Sequence, residues 1–262
     1  MIEYDSGPEN IKHIETADSP ERRVAYKVAI FGTGSEGSIE DKVAMENARK
    51  IAERVVENGF GIVTGGYDGG VMKAASEGGV AAAQKIGKEN TAEFVKAFPL
   101  TEKYLNQAAV QGAKITRSET LPERLEHLID ESEAFVVLGG KFGTVVELIT
   151  TLHSESVRRM PQEKPSPRPI IIVDSTLQHL DTLNFMLDRD KKLQRSSALE
   201  HTYFLTGNES SSVEAKRIVE DYYQQSLGKE LGEDERQYLA QASYRHNYDN
   251  HISQLREGGF SL

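Results

Sequence analysis

Ala134-Phe-Val-Val-Leu138-Gly139-Gly140-Lys141-Phe142-Gly143-Thr144-Val-Val-Glu147 is the stretch on which the fold turns. Its opening apolar residues show no alternation, the pattern of a strand covered on both faces. The glycines that follow end the strand, and from Thr144 the pattern becomes helical. A strand, a glycine corner and a helix in that order begin a βαβ unit. The same grammar repeats along the chain.

Further β-rich runs occupy 24–31, 59–64, 93–98, 113–116, 169–173 and 201–205, with amphipathic segments at 39–58, 70–86, 122–131, 144–157, 177–188 and 212–227. Within 44–56, the positions Ala44, Met45, Ala48, Ile51, Ala52, Val55 and Val56 recur at three and four, as one buried helix face requires. This alternation predicts an α/β fold: a doubly wound, mostly parallel, Rossmann-like sheet of about seven strands with helices on both faces. Residues 1–22 are polar, contain Pro8 and Pro20, and read as a flexible arm. Residues 23–228 read as one nucleotide-binding domain, with 158–168 as a surface loop. In the extension 229–262, residues 233–255 read as a helix on the body or on a partner, or as a loose tail.

Composition excludes several function classes. The 262 residues contain no cysteine, which removes disulfide scaffolds, cysteine metal sites and thiol nucleophiles, and agrees with a cytoplasmic address. Of the formal charge of −10, the arm holds six acids against two bases and the extension six against four. The body carries 29 acids and 25 bases, so it is nearly balanced. Binding to a nucleic-acid polymer wants a basic stripe, and none is present. No apolar run approaches the ~18 residues of a membrane span. The opening residues lack the basic and apolar blocks of a signal peptide.

Three glycine-rich corners follow strands, where such folds bind ligands. The first, Gly32-Thr-Gly34-Ser35-Glu-Gly37, matches G-x-G-x-x-G. That dinucleotide fingerprint also needs an acid about 20 residues on, at the tip of the second strand. Here that tip reads Thr64-Gly65-Gly66, so a dehydrogenase lacks its confirming context. Gly37 reads as an ordinary turn, and Gly34 and Ser35 as part of a ligand-facing loop. The second corner, Gly65-Gly66-Tyr67-Asp68-Gly69-Gly70-Val71-Met72, holds more glycine than a turn needs and reads as backbone pressed against a flat ligand.

At the third corner, Gly139, Gly140, Lys141 and Gly143 precede a helix whose bare N–H groups would bind a phosphate, with the Thr144 hydroxyl as a further donor. Two structural readings compete there. Thr144 and Glu147 fit a T-x-x-E capping box, and Lys141 fits a solvated loop.

The second and third corners together resemble the LONELY GUY (LOG) family of nucleoside 5′-monophosphate phosphoribohydrolases, known for releasing free cytokinin bases. The family pattern is a GGGxxGLMG turn, an Arg-Lys pair on a helix, and PGGxGTxxE. The family's catalytic arginine falls on Arg124, 23 residues before Glu147, and Ser132-Glu-Ala-Phe-Val-Val-Leu138 is similar to its A-D-A-F-I-A-L. The resemblance covers roughly 27–180. Departures are Gly139 for the motif's proline, Lys141 for its second glycine and Leu125 for the lysine of the pair.

The resemblance implies Arg124 and Glu147 as catalytic residues. Phosphate and nucleotide would be held by Gly139, Gly140, Lys141, Gly143 and Thr144 with Gly65, Gly66, Gly34 and Ser35. The base would be read by Tyr67, Met72 and the stretch 99–118. The expected substrate is AMP or a cytokinin-type nucleotide, the assembly a homodimer or larger, and the chemistry free of cofactor and metal. None of the seven histidines stands in H-x-x-x-H or H-E-x-x-H spacing. A carboxylate beside the anomeric carbon stabilises the positive charge of glycosidic cleavage and activates water, which suits Glu147. Arg124 stays protonated and would position the partners, unless it is an ordinary exposed helix charge in Glu123-Arg-Leu-Glu-His127. The alternative is a non-catalytic nucleotide-binding or sensing protein, or a molybdenum-cofactor carrier on the same scaffold.

Overall fold

Lys27–Phe31 (β1) runs through the middle of a parallel sheet and is buried on both faces. Val28 and Ile30 enter one apolar cluster while Ala29 and Phe31 enter the other, the two-residue period of a strand made visible. A computed structural model describes residues 18–101, 110–157, 168–173, 183 and 197–244. The other strands are β2 (Gly61–Thr64), β3 (Val95–Ala97), β4 (Lys114–Ile115), β5 (Ala134–Leu138), β6 (Ile170–Val173) and β7 (Thr202–Leu205). All seven β-rich runs form strands, in the order β4-β3-β2-β1-β5-β6-β7, and every neighbouring pair is parallel.

From β1 the chain steps outward through β2, β3 and β4, then returns to place β5 on the other side of β1. The reversal opens a crevice beyond the carboxyl ends of β1 and β5, the position where ligands enter such sheets.

Helices cover both faces. They are α1 (Pro20–Ala25), α2 (Ile39–Glu57), α3 (Gly70–Lys85), α4 (Leu121–Asp130), α5 (Phe142–Val157), α6 (Ser211–Ser226) and α7 (Glu233–Ala242). One core layer sets Ala48, Ile51, Ala75, Ile218 and Tyr222 against Val28, Ile30 and Ile62. The other sets Leu128, Leu148 and Leu152 against Phe31, Val63, Phe135 and Val137. In α2 the expected apolar face is buried at Ala44, Ala48, Ile51, Ala52, Val55 and Val56, with Met45 half-buried.

Two boundaries differ from the sequence reading, and in the extension one of its alternatives is met. Residues 20–25 form α1, where an arm was expected to end at 22 and a strand to begin at 24; the Ser19 side chain accepts from the Arg22 N–H and Pro20 opens the helix. Helix α5 begins at Phe142, two residues before Thr144. In the extension, α7 docks on the body: Leu239 and Tyr244 are buried, and Ser243 bridges to Tyr203 of β7. The expected helix at 177–188 lies outside the described residues except for Leu183, which is helical and buried. The reading of 1–17, of 158–167 in the expected surface loop, of the extension beyond 244 and of part of 99–118 also lies outside them; Arg168, expected to end that surface loop, is instead buried and paired with Glu155. Among the described residues, no helix is long and apolar enough to cross a membrane.

Candidate functional site

The corners after β1, β2 and β5 meet at the carboxyl edge of the sheet, and Thr33 joins them. Its N–H donates to the Gly139 carbonyl at 3.1 Å, and its own carbonyl accepts from Val71 N–H at 2.8 Å. Its hydroxyl accepts from Ser35 N–H at 2.9 Å. A buried threonine thus satisfies groups from all three corners at once.

Arg124 reaches this edge from the first turn of α4, which Thr120 caps by accepting from Glu123 N–H. The residue is 6% exposed, so it is not the solvated helix charge that its local sequence permits. Nε donates to the Phe98 carbonyl at 3.0 Å. Nη1 donates to Glu147 Oε1 at 3.2 Å. The guanidinium also lies 5.5 Å from the Tyr67 ring centroid, where a cation is attracted to the ring face. Nη2 lies 4.0 Å from Met72 Sδ. Tyr67 is itself held by the Leu100 N–H, which donates to its hydroxyl at 3.3 Å.

Glu147 comes from the second turn of α5 and is 8% exposed. Burial pushes its carboxyl above the ordinary range, and the charge and hydrogen bond of Arg124 oppose that rise. Arg124 engages Oε1; among the described residues Oε2 accepts no hydrogen bond.

The glycines of the second corner serve this arrangement before any ligand arrives. A Cβ on Gly65 would lie 2.0 Å from Arg124 Nη2 and 2.6 Å from Met72 Sδ, so the guanidinium occupies the space a side chain would take. Gly70 has φ +56°, and a Cβ there would meet the Thr33 carbonyl at 2.1 Å. Gly66 faces Pro99 in the same close manner. At the third corner, Gly140 lies against the Thr144 side chain, while Gly143 borders open space and Lys141 is exposed. Thr144 is the third residue of α5 rather than its cap, and Glu147 pairs with Arg124, so the T-x-x-E capping box does not form.

Three helix N-termini face this edge, and the protein fills two with its own carboxylates. At α2, Ser38 and Asp41 make a reciprocal capping box. At α3, the N–H of its first residue, Gly70, donates to Glu36 Oε1 at 3.1 Å. Helix α5 has no acid in its first turn. An anion attracted by a helix N-terminus therefore finds the third corner unclaimed. The Asp41 carboxylate, with Ser38 and Ser35 around it, also occupies the helix start where a dinucleotide fingerprint would seat its pyrophosphate.

The profile of the SLOG cluster4 family matches residues 25–160, just over half the chain, which include all three corners, Arg124 and Glu147. The chain belongs to the SLOG cluster4 family. Among solved structures, the molybdenum cofactor carrier protein MCP from Chlamydomonas reinhardtii is similar over 78% of this chain and 99% of that one, at 15% identity and a TM-score of 0.50. The molybdenum cofactor binding protein from Rippkaea orientalis is similar over 62% and 85% respectively, at 16% identity and a TM-score of 0.45. At these identities the likeness is one of fold. A comparison with curated proteins found no match.

In this SLOG cluster4 chain the edge gathers Arg124, Glu147, Gly65, Gly66, Tyr67, Met72, Gly139, Gly140 and Thr144, with Gly34 close to Met72 and Ser35 held by Thr33. Lys141 and Gly143 sit on its exposed rim. Sequence reasoning missed Thr33, Glu36, Asp41 and the Phe98 carbonyl. Thr33 lay inside a quoted motif, but its hydrogen bonds run to distant corners. Among the described residues, no three histidine, aspartate or glutamate side chains gather to hold a metal.

Proposed function

We propose that this chain hydrolyses the N-glycosidic bond of a nucleoside 5′-monophosphate, releasing free base and ribose 5-phosphate. The observation that carries the reading is the buried Arg124–Glu147 pair, 3.2 Å apart in the crevice beside the start of α5, whose first turn holds no acid. The two residues match the LONELY GUY pattern in identity and spacing. Phe142 and Glu147 are separated along the helix by about 7.5 Å at 1.5 Å per residue, close to the span from a 5′-phosphate to the anomeric carbon. A phosphate at the α5 N-terminus therefore sets the ribose beside Glu147.

Cleavage breaks the bond from C1′ to the base nitrogen, and the electron pair leaves with the base, which takes up a proton from solvent. Positive charge develops on the ribose ring, and the Glu147 carboxylate stabilises it. Water adds to C1′ and gives its proton to Glu147, which returns it to solvent. Arg124 opposes the rise that burial imposes on the Glu147 carboxyl and, itself held by the Phe98 carbonyl, keeps that carboxyl in register. Tyr67 and Met72, both against the guanidinium, border the place of the base.

A second reading, binding without turnover, draws on Leu125, which replaces the second cation of the Arg-Lys pair, and on exposed Lys141 in place of a glycine. A molybdenum-cofactor carrier on this fold would offer its ligand the same α5 N-terminus. Incubation with AMP, GMP, CMP and UMP, followed by mass spectrometry, separates the two. Base release that Glu147→Gln abolishes supports the hydrolase; saturable binding with no release from any nucleotide overturns it in favour of the binding protein.

A further inference from the structure

Far from the crevice, three lysines on different strands converge beside the last turn of α4. Lys96 of β3 and Lys114 of β4 are register partners and share one face of the sheet. Lys27 opens β1, two strands from β3, and its partner on β2 is Gly61. A Cβ on Gly61 would lie 2.9 Å from Lys27 Cγ, so the bare glycine lets the lysine stem pass over β2. The Lys27 ammonium thereby comes beside that of Lys96, and Lys114 is a further positive neighbour through its register with Lys96. Among the described residues the carboxylate paired with them is Glu131, whose Oε2 is 2.5 Å from Lys96 Nζ.

This charge concentration is unusual in a chain of net charge −10. The Lys96 side chain is only 19% exposed and Lys27 is half-buried, so water screens their repulsion incompletely. Burial first, and the neighbouring ammonium groups second, hold the Lys27 ammonium below its usual range; Glu131 opposes them. The carboxyl end of α4 supplies about half a negative charge. Glu131 and that helix end together leave roughly one and a half positive charges without a partner. Neutral ligands and cations have no use for such a place. A tetrahedral dianion accepts hydrogen bonds from several ammonium groups at once, and lysines serve phosphate well as point charges.

We propose that Lys27, Lys96 and Lys114 form a second anion site, at the opposite end of α4 from Arg124, for a phosphate-class dianion, either free phosphate or the phosphoryl group of a metabolite. The site does not depend on the reading of the crevice. The test is a titration of the full chain with sodium phosphate at constant ionic strength, followed by NMR of the lysine side-chain signals. The Lys27 and Lys96 signals are expected to shift together and saturate as one site. Lys27→Gln and Lys114→Gln should each weaken that binding at least about tenfold, the worth of one charge-assisted hydrogen bond. Lys85→Gln, which removes a surface partner of Glu57, should leave it unchanged. Glu147→Gln should also leave these signals alone, which separates this site from any phosphate at α5. Ribose 5-phosphate in place of phosphate distinguishes the sources, since the natural class binds more tightly at the same lysines. Shifts that never saturate, or that persist unweakened in both Lys27→Gln and Lys114→Gln, overturn the proposal.

Discussion

Removing Arg124 should make stability depend on pH in a way that removing Glu147 as well abolishes. The two side chains are 8% and 10% exposed, so Arg124→Ala leaves a carboxylate buried without its counter-charge. Losing one partner of a buried pair costs about 3–5 kcal/mol, and the vacated Phe98 carbonyl adds about 1 kcal/mol. For a chain of this size each kcal/mol is about 2–4 °C in Tm, so the variant should melt about 8–24 °C lower at pH 8. The sign with pH follows from linkage. Burial already places the Glu147 carboxyl above its unfolded value, and without Arg124 it rises further. Stability contributed by the protonated form is fully present below the unfolded pKa and is lost as pH rises through the folded one. The gap between variant and wild type should therefore be small near pH 5 and large near pH 8, as read by urea unfolding at each pH. The double variant Arg124→Ala/Glu147→Gln should recover most of the loss at pH 8. An equal loss at both pH values, or no recovery in the double variant, refutes the reasoning.

Other outcomes follow from the same geometry. Gly65→Ala forces a methyl onto Arg124 Nη2, and should cost about 1–3 kcal/mol of stability and about a hundredfold in base release, measured by Tm and by product formation. Arg168→Ala should cost about 3–5 kcal/mol in urea unfolding, because it removes the cation paired with buried Glu155 and the guanidinium donor to the Ile129 and Ser132 carbonyls. Asp221, on α6, has its carboxyl pushed up to about 6 by burial, and among the described residues Oδ2 finds no partner. Ionising it therefore costs stability as pH rises through about 6, and Asp221→Asn should flatten the fall in Tm between about pH 4 and 7.

The sheet was legible because doubly covered strands must be apolar throughout, and runs such as Ala134–Leu138 and Ile170–Val173 advertise that burial without help from distant residues. Helix starts were less legible. The T-x-x-E string at Thr144 mimics a cap, but the chain already turns helical at Phe142, so the same residues occupy the helix interior. Arg124 shows the limit of local pattern most clearly. Its neighbours Glu123, Glu126 and His127 describe a solvated helix, and only the placement of α4 against the end of β3 turns that position inward. The surplus glycine of the second corner was visible, but its partner was not: Gly65 yields its space to a guanidinium 59 residues away in the chain. Thr33, Glu36 and Asp41 look like turn residues, and their work appears only when the three corners are brought together.

The central claim is that Glu147, held by Arg124 in the switch-point crevice, cleaves a nucleoside 5′-monophosphate. Its most direct test is quantitation of free base and ribose 5-phosphate after incubating wild type and Glu147→Gln with the four monophosphates. The account predicts equimolar base and ribose 5-phosphate from at least one nucleotide with wild type and neither with Glu147→Gln. Undiminished release by Glu147→Gln, or none by a wild-type protein that binds the nucleotide, contradicts it.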